Sequence, residues 1–69
     1  MNVYAVRVLH NYGQTVEIVN AENEEQAQAI VQIREDQRWS EGCVDEAQCV
    51  GSALPGATVG IIFSGGYIE

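Results

Sequence analysis

The side chains best able to do chemistry in this sequence are one histidine, two cysteines and ten carboxylates. His10 is the only imidazole and closes an alternating apolar stretch, where a histidine flanking a hairpin is the ordinary reading. Covalent catalysis needs a nucleophile, a base and an orienting group held in one cleft. Cys43 has Glu41, Asp45 and Glu46 as sequence neighbours, the wrong surroundings for a thiolate nucleophile. Cys43 and Cys49 have five residues between them, so they form no C-x-x-C redox pair. A zinc site would need about four ligands, and His10 is far away in sequence. Two free thiols and a disulfide closing a short loop are both compatible with the spacing. The segment Gly51-Ser52-Ala53-Leu54-Pro55-Gly56 lacks the lysine and the strand–loop–helix setting of a phosphate-binding loop. The carboxylates lack calcium-loop spacing. The expectation is a protein that is not an enzyme, with no catalytic residue, cofactor or metal.

Charge narrows the partners. Three arginines and no lysine stand against ten acids, a net charge of −7 at pH 7 in 69 residues. Direct contact with nucleic acid needs clustered Lys and Arg, and so does attraction to an anionic membrane. The longest apolar run, Val59 to Phe63, is far short of the roughly 20 residues of a membrane span. No basic segment followed by an apolar one opens the sequence. A soluble, cytoplasmic protein is expected.

The acids are unevenly placed. Eight of the ten lie between Glu22 and Glu46: Glu22, Glu24, Glu25, Glu35, Asp36, Glu41, Asp45 and Glu46. Carboxylates three or four apart on a helix stand about 5–6 Å apart at Cβ. Successive phosphates of a stretched nucleic-acid strand are separated by a similar ~6–7 Å. With Gln28 and Gln32, these acids form a candidate surface for occupying a basic cleft built for nucleic acid. The competing reading is that they keep the chain soluble. Trp39 is read as core closure at the helix end, and Tyr12, in a hairpin turn, as an exposed interface aromatic.

Several elements must position these groups. Residues 3–10 alternate, with Tyr4, Val6 and Val8 on one face and Val3, Ala5, Arg7 and Leu9 on the other; apolar residues on both faces predict a central strand. Asn11-Tyr12-Gly13 is a turn signal, and residues 14–21 form a second strand, with Val16 and Ile18 on one face and Thr15, Glu17 and Val19 on the other. Asn23 reads as an N-cap with Gln26 three residues on, opening a helix to Gln37 with Ala27, Ile30 and Val31 on its apolar stripe and Ile33 beside it. Arg34 and Arg38 continue that stripe by spacing, which suits stems that cover the sheet while their heads reach out. Residues 40–46 read as a loop, 47–54 as a weak strand, Pro55-Gly56 as a turn and 58–63 as a central strand. Ser64-Gly65-Gly66 reads as a break or bulge. The fold class is α+β: one domain over residues 1–69, an antiparallel sheet of about four strands in ββαββ order, and one amphipathic helix across one face.

The segment from Val3 to Val31, and TVEIVNAENEEQAQAIV within it, resembles a small module of phages and mobile elements. It is similar both to DpnD/PcfM-like proteins and to some small anti-CRISPR proteins acting on type I systems. The second resemblance implies an anti-CRISPR protein in a host bacterial cell. Such a protein would bind a Cas partner with a basic DNA-binding cleft, a Cas8-type subunit or the Cascade backbone, and block DNA or PAM recognition as a monomer or weak dimer. Glu22, Glu24, Glu25, Gln28, Gln32, Glu35, Asp36, Glu41, Asp45 and Glu46 would be its partner-binding residues. The first resemblance implies a non-enzymatic protein–protein interaction module. It would pair with a partner or with itself through an open sheet face carrying Val3, Ala5, Leu9 and Val19.

Overall fold

Nine-residue alternation on either side of a glycine turn gives the centre of the sheet. The computed structural model describes residues 1–11, 13–37 and 42–68, with the backbone alone for residues 65–68. Strand β1 (Asn2–His10) pairs antiparallel with β2 (Gly13–Ala21) from Asn2↔Ala21 to His10↔Gly13 without a register shift. Gly13 has a φ of 143°, a conformation that favours glycine. Helix α1 (Glu24–Gln37) follows, then β3 (Cys43–Ser52) and β4 (Gly60–Ile68). The sheet order is β3-β1-β2-β4, so β1 and β2 are central and β3 and β4 are the edges. This is the α+β, ββαββ arrangement that the sequence predicts.

Register decides which face of the hairpin is covered. Tyr4 pairs with Val19, Val6 with Glu17 and Val8 with Thr15, and residues directly opposite share a face. The helix packs on that face. The core is Tyr4, Val6 and Val8 of β1, Val19 and Ala21 of β2, Ala27 and Val31 of α1, and Ala47 of β3, with Ile30, Val44 and Ile61 half-buried against it. Each valine withdrawn from water contributes about 1.5–3 kcal/mol. The two largest fully buried side chains are carboxylates, Glu17 and Glu35.

The helix start follows its sequence signal. The Gln26 backbone N–H donates to Asn23 Oδ1 at 2.8 Å, and Gln26 Oε1 accepts from the Glu22 N–H at 2.7 Å. The first satisfies a donor that an uncapped helix would leave open, and the second fixes the residue before the cap against the first turn.

Two expectations fail in the second half. The segment 58–63 is apolar on both faces, yet β4 is an edge strand and continues through Ser64-Gly65-Gly66 to Ile68. The irregularity expected at Ser64-Gly65-Gly66 is a bulge rather than a break: the register shifts between Gln14 and Val16 while the strand continues. Residues 43–46 are strand, not loop. Acids are rare in strands, but here they sit on an edge with water on one side and Arg7 of β1 as a counter-charge. Gly42 sits just before β3. A Cβ there would stand 2.6 Å from His10 Cε1 and 2.8 Å from Val8 Cγ1, so only glycine fits without displacement. Tyr12, Arg38, Trp39 and Glu41 lie outside the described residues, and with them the readings placed on those side chains.

Candidate functional site

The predicted acidic surface is divided by the fold. Glu22, Glu24 and Glu25 are exposed around the start of α1, and Glu22 Oε2 is 3.9 Å from the N-terminal ammonium. Asp36 is exposed near the helix end. Gln28 and Gln32 are half-buried. Gln32 Nε2 donates to Asp36 Oδ1 at 3.1 Å, and its Oε1 accepts from the Val44 N–H at 3.5 Å, fastening the helix to β3. Glu35 is not on the surface: it is 2% exposed, against an expectation that placed it outside the apolar stripe. Its position is i+8 from Ala27 and i+4 from Val31, which puts it on the buried stripe whatever its polarity. Glu41 lies outside the described residues.

Asp45 and Glu46 belong to the opposite layer. Register shifts between Val6 and Val8 leave both of them across from the single residue Arg7, a β-bulge on the face away from the helix. Arg7 Nε donates to Asp45 Oδ2 at 3.0 Å, and Arg7 Nη2 is 3.3 Å from Glu46 Oε1. These two acids are partly neutralised there and do not extend the helix surface.

That face is the second candidate surface. Ala5 lies opposite Ile18, Arg7 opposite Val16 and Ile18 opposite Phe63, so these residues share the side that the helix leaves open. Leu9 and Phe63 are exposed on it, and Val3, Ala5, Val16 and Ile18 are half-buried. Small Ala5 leaves a shallow hollow of about 320 Å³, lined with Arg7, Gln14, Val16, Glu46 and Gln48. Its lining is amphipathic, with an arginine fixed by two carboxylates beside aliphatic walls. One expected member is misplaced: Val19 is fully buried beneath the helix, because its register partner is Tyr4 and not Ala5.

A third feature is buried and has no clear sequence signal. Glu17, on the helix side of β2, accepts a hydrogen bond from Ser64 Oγ on β4 at 3.0 Å through Oε1, and its Oε2 is 3.5 Å from Arg34 Nη1 on α1. The carboxylate therefore ties three elements together. Arg34 does continue the inner stripe by spacing, but its head reaches this carboxylate, and the side chain is only 28% exposed.

The remaining candidates are structural. His10 Nε2 and Thr15 Oγ1 share a hydrogen bond of 3.0 Å across the hairpin. Cys43 and Cys49 are exposed free thiols on one strand. Six residue steps along the strand set them about 20 Å apart, against roughly 7 Å between Cα atoms at most for a disulfide. A bridge between them within one chain is excluded. Among the described residues, no three His, Cys, Asp or Glu side chains are grouped to hold a metal ion. No described helix is long and apolar enough to cross a membrane. No protein-family model, no curated protein and no solved structure matches the chain.

Proposed function

We propose that this chain is a non-catalytic protein-binding module that docks an apolar protein surface on the open face of its sheet. The observation that carries this reading is the uncovered face itself. Exposed Leu9 and Phe63 flank a hollow over Ala5, while α1 covers the other side of the same strands. Buried apolar contact would supply the affinity, and the paired Arg7, Asp45 and Glu46 would supply orientation at the rim. Binding of this kind tolerates salt. The test is capture of one partner by the wild type and by two variants. Ala5→Arg, which fills the hollow, should abolish capture. Reversal of Glu22, Glu24 and Glu25 to lysine should leave it intact, also in high salt. Capture that survives Ala5→Arg would overturn the reading.

A second reading is kept because one observation favours it: Glu22, Glu24, Glu25 and Asp36 are exposed on the helix side of a chain with net charge −7. In it, the protein is an anti-CRISPR inhibitor that presents these carboxylates to a basic DNA-reading cleft of a type I Cas effector. Affinity for a purified effector would then fall steeply with salt and vanish on triple charge reversal. The inward position of Glu35 and the separation of Asp45 and Glu46 from the helix leave this surface smaller than the sequence implied.

A further inference from the structure

We propose that two copies of this chain pair through the outer edges of their β4 strands, antiparallel about a two-fold axis at Ser64, to form one continuous sheet. The unpaired N–H and C=O groups of an edge strand are a template for another strand, and natural proteins guard such edges with charge, proline or bulges. Both edge strands carry two register shifts, but only β3 is also guarded by charge, at Asp45 and Glu46. Strand β4 has neither charge nor proline from Gly60 to Ile68, and no Asp, Glu, Lys, Arg or His occurs from Ala47 to Ile68. Ile62 and Phe63 are 56% and 60% exposed along it, and Val59, just before it, is 46% exposed.

Two arguments make the occupant a second copy. The first is charge. A chain of net charge −7 repels itself through any acidic face, and the β4 edge is where two copies meet with no carboxylate opposite a carboxylate. The second is the strand's own pattern, Gly-Ile-Ile-Phe-Ser-Gly-Gly-Tyr-Ile. Antiparallel pairing about Ser64 sets Phe63 opposite Gly65 of the second copy and Ile62 opposite Gly66. Phe63 pairs with Ile18 and Gly65 with Val16 on the same open face, so the ring of one copy would cover bare glycine backbone of the other. The bulky half of the strand thus fits the glycine half of its own image, as an isologous contact requires. The pairing uses the backbone edge of β4 and shares only Phe63 with the proposed docking surface on the open face.

Sedimentation equilibrium of the full chain over a dilution series tests this. A dimer is expected at about 100 μM that dissociates on dilution. High salt should tighten it by screening the net charge. Ile62→Lys should raise its dissociation constant by about tenfold or more, while Val50→Lys on the β3 edge leaves it unchanged. Should Ile62→Lys unfold by circular dichroism, amide exchange of the wild type decides instead: protection of residues 61–66 should rise with concentration. A monomer at every concentration, open-ended oligomers, concentration-independent exchange, or a dimer sensitive to Val50→Lys but not to Ile62→Lys would each overturn the proposal.

Discussion

Each edge of this sheet has an arginine–carboxylate pair beside it, but the two pairs lie in different solvents. At β3 the pair is in water: Arg7, Asp45 and Glu46 are 39%, 38% and 64% exposed on the face away from the helix. At β4 it is inside: Glu17 is 2% exposed and is held by Ser64 and Arg34 beneath α1. Exposed pairs contribute at most about 1 kcal/mol, because water screens them and holding long side chains still costs entropy. A buried carboxylate is held far more strictly, since losing its partner leaves a charge with no solvent to replace it. The outer surfaces invert this order. The weak tie leaves β3 charged and guarded, whereas the strong tie lies inside and leaves β4 outwardly neutral and open.

The largest effect should come from the buried tie. Arg34→Ala is expected to destabilise the fold by about 3 kcal/mol in urea unfolding, and replacing Glu17 and Arg34 together by methionine should recover most of that loss. A cost below about 1 kcal/mol for the single variant would mean that water already solvates Glu17. Next comes the steric anchor of β3. Gly42→Ala forces a Cβ against Val8 and His10 and should cost about 2 kcal/mol, while Gly51→Ala, with nothing within 4 Å, should change the midpoint little. Equal effects at the two glycines would mean that the close approach at Gly42 does not fix the start of β3. Ser64→Ala deletes the hydroxyl that serves Glu17 and should cost about 1–2 kcal/mol. Smallest is Arg7→Ala, expected below about 1 kcal/mol at moderate salt. If it matched Arg34→Ala, the contrast between the two edges would collapse.

The first half of the molecule was legible because its signals are local. Alternation in residues 3–10 and 14–21, the turn glycine and the Asn23–Gln26 cap each declare an element from within a few residues. The second half depends on partners that sequence distance hides. Asp45 and Glu46 look like loop residues until Arg7, on another strand, stands across from them. Residues 58–63 look central because an apolar strand is usually covered on both faces, yet nothing in the described chain lies beyond β4. At the candidate surfaces the same rule holds. Glu22, Glu24 and Glu25 were readable as exposed from their place before and within the first helical turn. Glu35 was misassigned because its polarity outweighed its spacing, although i+4 from Val31 already pointed inward. Neither Glu17 nor the hollow over Ala5 had a signal of its own, since each exists only once three elements meet.

The connection between β3 and β4, residues 53–59, crosses the end of the sheet from one edge to the other. It is pinned there by the Ala53 N–H on the Met1 carbonyl at 3.0 Å and by Asn20 Nδ2 on the Thr58 carbonyl at 3.3 Å. This crossing has a kinetic consequence. The β1–β2 hairpin closes locally, on a scale of about 1–10 μs. Pairing of β2 with β4 must close a loop that contains the helix and β3, and its entropy is lost before any contact compensates. Both edge strands therefore pair after the hairpin, and until it docks the neutral strand β4 leaves its apolar residues uncovered. The interval before it docks is when the chain is most open to aggregation.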